Sequence, residues 1–182
     1  MIRHKRNLEA FTLVEMVIVV VIIGIISAIA VPRIDGASRR AEANALKASV
    51  GNVRKAIDEY FAEHNRFPGY NPANGSPNGP MFQDQLLKFT DLAGNTSDVK
   101  TSVFRFGPYL RPPFPTNPVN DKNKVYVKAT PADPDPSLTS DGWIAVLSTG
   151  DFGINASTSE VTNIIESGGS TSNDARGAIQ TQ

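Results

Sequence analysis

One stretch of the chain limits its folding options more than any other: FTLVEMVIVVVIIGIISAIAV, Phe11 to Val31. Its twenty-one residues would rise about 32 Å as an α-helix, close to the hydrocarbon thickness of a bilayer. It follows a short basic cluster, Arg3, Lys5 and Arg6. That flank stays cytoplasmic by the positive-inside rule, which sends the rest of the chain outside. Two plain readings are a cleaved secretory signal and a single-pass anchor, and a third has to account for Glu15 as well. A secretory signal has a shorter apolar core ahead of a small-residue cut site. Neither of the first two accounts for Glu15, a carboxylate four residues into the run. Such a group is costly in hydrocarbon and needs a partner, unless it snorkels to the headgroups.

The pattern changes after Pro32. Over residues 33–64, Ile34, Ala37, Ala41, Ala45, Leu46, Val50, Val53, Ile57, Tyr60 and Phe61 recur at three- and four-residue steps. That spacing predicts an amphipathic helix with one apolar stripe. Arg39, Arg40, Glu42, Lys47, Arg54, Lys55, Asp58, Glu59 and Glu63 fall on the opposite, solvated face. The stripe is small at its start and large at its end, so the second half is expected to cover a sheet. Gly24, Pro32 and Gly36 weaken the first half of the long helix. His64 reads as a helix-end histidine, because no second ligand stands at metal-binding spacing.

Asn65 to Pro80 is rich in Pro, Gly and Asn and predicts a loop. A short helix is expected over Gln83–Phe89. Four prolines in Phe106–Asn117 make that stretch non-helical. Lys124–Ala129, Trp143–Ser148 and Gly150–Asn155 read as strands, the last two joined by a tight hairpin at Thr149-Gly150. The fold class expected is α+β: a long N-terminal helix, with a membrane half and an amphipathic half, packed on a small antiparallel sheet. The domain organisation expected is a basic leader at 1–10, a transmembrane or core helix at 11–32, an amphipathic helix at 33–64, a globular head at 65–155, and a polar, mobile tail at 156–182. An edge strand at Val161–Ile165 is a candidate within that tail.

Composition removes several function classes. The chain has 18 basic and 18 acidic residues, and no Lys/Arg stripe interleaves with aromatics, so nucleic acid is not an expected partner. With no cysteine there is no disulfide, thiolate metal site or thiol nucleophile. Phosphate-loop, dinucleotide, zinc and nucleophile-elbow motifs do not occur, and the head has no histidine to activate its many hydroxyls. No enzymatic activity is expected. Asp133, Asp135 and Asp141 sit in one Pro-rich loop, where oxygen ligands form a candidate calcium site; turn aspartates are the plainer reading.

Ala10-Phe11-Thr12-Leu13-Val14-Glu15 resembles the processing motif of type IV prepilins and type II secretion pseudopilins. The resemblance implies a cut between Ala10 and Phe11 by a prepilin peptidase, and N-methylation of Phe11. Glu15 then becomes the fifth mature residue, and Pro32 stands where that family commonly has proline. Two positions depart from the pattern: Ala10 replaces the usual Gly, and Glu9 adds a negative charge beside the cut. Arg66-Phe67-Pro68, Gly107-Pro108-Tyr109-Leu110 and Asn117-Pro118 also look like segments of pseudopilin heads. The family further implies a pilin fold and a calcium loop in this region. Its partners are identical and related pilin-like subunits, the peptidase, an inner-membrane assembly platform and the lipid bilayer. The head lies on the periplasmic side. Glu15 is expected to neutralise the α-amine of a neighbouring subunit, and such a pair specifies register more than it stabilises.

Overall fold

A computed structural model describes residues 11–133 and 140–156, and of residues 29–37 the backbone alone. Helix α1 is Leu13–His64. The chain divides into two units, Met1–Ser38 and Arg39–Gln182, and α1 contributes to both.

In the first unit, the apolar side chains from Phe11 to Ile26 are 48% to 81% exposed, so the helix presents apolar surface all round. A helix of that kind is stable only when something apolar surrounds it. Among the described residues no helix is long and apolar enough to cross a membrane; the side chains described in the expected span end at Ala28, short of Val31.

In the second unit, α1 buries one face. Val50, Val53, Ala56, Ile57 and Tyr60 are all buried, at the three- and four-residue steps of the stripe. Ala41 and Ala45 are exposed and Phe61 is 39% exposed, its ring stacked on Phe67, so the buried stripe begins later than the sequence pattern does. Arg54 also departs from the solvated face. Its Nε and Nη2 donate to the Phe152 carbonyl at 3.1 and 2.9 Å, fastening α1 to the sheet edge. The helix ends at Asn65, whose φ of 53° is the left-handed cap conformation and whose N–H reaches the Phe61 carbonyl at 2.8 Å.

Helix α2 spans Gly79–Leu87, four residues earlier than expected. Asn78 caps it by accepting the Met81 N–H at 2.8 Å, and Pro80 occupies the first turn, where a missing N–H leaves no bond unmade. Two short strands, β1 (Phe89–Thr90) and β2 (Thr96–Ser97), pair antiparallel, and Phe106 bridges to Thr90 on the other side.

The main sheet holds β3 (Val125–Lys128), β4 (Trp143–Val146) and β5 (Phe152–Ile154), in the order β3-β4-β5. The strands fall where expected, and β4 and β5 form the expected antiparallel hairpin, but β3 and β4 are parallel. The sheet is therefore mixed rather than antiparallel. The reason is the connection between Lys128 and Trp143, which is long enough for the crossover that parallel strands require. The β4–β5 turn closes through Val146 N–H to the Asp151 carbonyl, 2.9 Å, with Gly150 at φ 76°.

Trp143, Phe82, Phe152, Leu86 and Phe114 fill the space between α1, α2 and the sheet. Phe82 and Phe152 stack with centroids 5.9 Å apart, and Phe152 stacks on Trp143 at 5.2 Å. Burying each large apolar side chain is worth about 2–3 kcal/mol. The result is the α+β arrangement of a helix on small sheets.

Candidate functional site

The site of interest is the start of α1. Thr12 and Glu15 stand at the spacing of a capping box. The Thr12 N–H and hydroxyl both donate to Glu15 Oε2 at 2.9 Å, and the Glu15 N–H donates to Thr12 Oγ1 at 3.2 Å. The first helical bond follows, from Met16 N–H to the Thr12 carbonyl at 3.3 Å. Reciprocal bonds of this kind satisfy amides that a helix start leaves unpaired, and a carboxylate there also suits the positive end of the helix dipole. The carboxylate so held lies four residues from Phe11 in sequence, the residue whose amine the expected cut would free. Sequence reasoning identified Glu15 but missed Thr12 as its partner. The T-x-x-E signature ahead of an apolar run was the available signal.

Ala10 and the leader lie outside the described residues, as does the Pro32 side chain. Gly24 falls within α1, and a Cβ built on it would meet nothing within 4 Å. The helix is continuous through that position.

Of the three aspartates, Asp135 and the candidate strand Val161–Ile165 lie outside the described residues. Asp133 Oδ2 accepts the Ala129 and Thr130 N–H groups, each at 2.9 Å, and the Thr130 amide holds its carboxyl below the usual range. Asp141 accepts the Ser140 hydroxyl at 2.6 Å. Among the described residues, no three His, Asp or Glu side chains stand close enough together to hold a metal. The observed work of Asp133 is to close a turn.

His64 ends α1, as its reading as a helix-end histidine expected, and it is buried there. It is 7% exposed, stacked on Tyr60 with centroids 4.0 Å apart. Its Nε2 lies 3.0 Å from the Thr90 hydroxyl and 3.1 Å from that of Tyr109. Burial pushes the imidazole below its ordinary range and the Tyr60 phenol up to about 12.

Residues 5–31 match a family described as the prokaryotic N-terminal methylation motif. The capped, all-round apolar helix start thus lies within that methylation motif. The chain is similar to a type II secretion system core protein G of Aeromonas hydrophila, 33% identical over 36% of this chain and 46% of that one. It is also similar to a type IV major pilin protein of Neisseria gonorrhoeae, 31% identical over 40% of this chain and 44% of that one. A fimbrial protein of Neisseria meningitidis is 27% identical over 46% and 49% respectively. The alignments span about half the length of these curated relatives. No solved structure matches.

Proposed function

We propose that the chain is a structural subunit of a type II secretion pseudopilus, or of a related type IV pilin-like filament, without enzymatic activity. A prepilin peptidase cuts it between Ala10 and Phe11, and Phe11 is then N-methylated. The helix enters the inner membrane with its N terminus cytoplasmic and its head periplasmic, and leaves the bilayer when subunits bundle. The observation that carries this reading is the pairing of an all-round apolar helix with one capped carboxylate at its start. An apolar helix needs lipid or its own kind around it, and Glu15 supplies a charge that a misplaced neighbour would leave unanswered.

The assembly partners are copies of this chain and related subunits, brought together at an inner-membrane platform. Similarity to both a secretion core protein and type IV pilins supports two uses of one architecture: protein export, or a surface pilus for adhesion, motility or DNA uptake. The rival from another class is a membrane-tethered binding module that never polymerises.

Glu15→Ala tests the reading. The variant should reach the membrane fraction at the normal level, while sheared filament falls at least tenfold. Normal filament yield from Glu15→Ala would contradict it.

A further inference from the structure

The last turn of α1 presents Tyr60, Glu63 and His64 together, because residues three and four apart share a helix face. Every neighbouring element sends a polar or aromatic group to the same imidazole. Strand β1 brings Thr90, and the turn after it brings Asp91 and the Leu92 carbonyl. The loop after α1 brings Arg66. The segment after β2 brings Tyr109 and the edge of the Phe106 ring, 5.0 Å between centroids; Arg105 lies over that Phe106 ring at 4.9 Å. Tyr109 in turn donates its phenolic proton to Glu63 Oε2.

We propose that His64 is an acid-released latch, tying the end of α1 to the β1–β2 ribbon and to the Phe106–Tyr109 segment while the imidazole is neutral.

The hydrogen-bond inventory carries this. A neutral imidazole has one N–H and one lone pair. Nε2 meets two hydroxyl oxygens, and either tautomer can use them. Nδ1 is buried with no hydrogen-bond partner. A neutral ring can leave only a lone pair there, which is the cheaper orphan. The cation must carry an N–H on both nitrogens and hold its charge in a site with 7% exposure, with the Leu92 carbonyl as a backbone acceptor beside the ring. Arg66 adds a like charge nearby, whereas Glu63, Asp91, the Leu92 carbonyl and the Tyr60 ring face attract the proton. Burial outweighs that attraction, so the folded imidazole titrates below the unfolded one.

The sign follows. The latch is fully closed above about pH 6.5, the unfolded value, and its contribution is lost as pH falls toward the folded value. His4 is the other histidine in the chain and lies in the leader. His64 is therefore the one imidazole left to titrate in the cut chain.

The test is amide hydrogen exchange on the whole cut chain in detergent micelles, from pH 7.5 to pH 5, corrected for the intrinsic exchange rate. Protection of residues 89–97 and 104–110 should fall by up to about tenfold per pH unit below 6.5, while residues 125–128 and 143–154 hold theirs. His64→Gln keeps a neutral donor toward Thr90 and Tyr109 and should flatten the slope. An unchanged slope in His64→Gln, or an equal loss across the main sheet, would overturn the proposal. Should the variant fail to fold, the His64 Hε1 resonance of the unsubstituted chain decides: a midpoint below 6.5 is expected, and one at or above 6.5 overturns it.

Discussion

Gln85 is a polar side chain that is 1% exposed, and three bonds keep it there. Its Oε1 accepts the Gly69 N–H at 2.7 Å, and its Nε2 donates to the Tyr70 and Gly94 carbonyls at 3.1 and 2.9 Å. One side chain thus ties the loop after α1 to the β1–β2 turn. Gln85→Ala should cost about 3 kcal/mol, because the Gly69 N–H and the Gly94 carbonyl are left buried and without this partner. The readout is urea unfolding followed by the fluorescence of Trp143, the single tryptophan and fully buried. At Gly150 the backbone carries φ 76°, and an added Cβ would strike the Phe67 ring. Gly150→Ala should destabilise by at least about 2 kcal/mol in the same assay, with both strain and displacement contributing. Gly150 could be read as a turn residue, but its contact with Phe67 and the role of Gln85 could not. A buried glutamine looks like any helix-surface glutamine until the loops it clamps are placed. Glu15 was legible, because a carboxylate in an apolar run conflicts with its surroundings.

At the scale of elements, period and punctuation account for most of what could be foreseen. The three- and four-residue stripe located the buried face of α1, and Thr149-Gly150 located the β4–β5 turn. Asn65 followed by Pro68 marked the end of the long helix. What escaped was set by longer-range contacts. Pairing direction between β3 and β4 depends on how the connecting loop crosses, and no residue of either strand encodes that. Arg54 leaves the charged face because a sheet-edge carbonyl stands within reach. The start of α2 was missed because Gly79-Pro80 reads as loop, whereas Asn78 makes it a capped first turn. Asn78→Ala should cost about 1 kcal/mol, seen as a lower midpoint in the same urea titration.

At the scale of the whole chain, the account joins two facts that share one residue. The methylation motif covers residues 5–31, and the capping box within it holds Glu15 at the start of a helix whose apolar side chains from Phe11 to Ile26 are exposed. Cutting before Phe11 would place a cationic amine four residues from that carboxylate, so processing and assembly become one electrostatic problem. The head was less legible than the helix for this purpose. Its core residues can be read from pattern, but its surface carries no motif with a defined chemistry. Mass spectrometry of the N-terminal peptide from native protein tests the account most directly. It predicts a peptide that begins with N-methylated Phe11, and a mature chain that still carries residues 1–10 would contradict it.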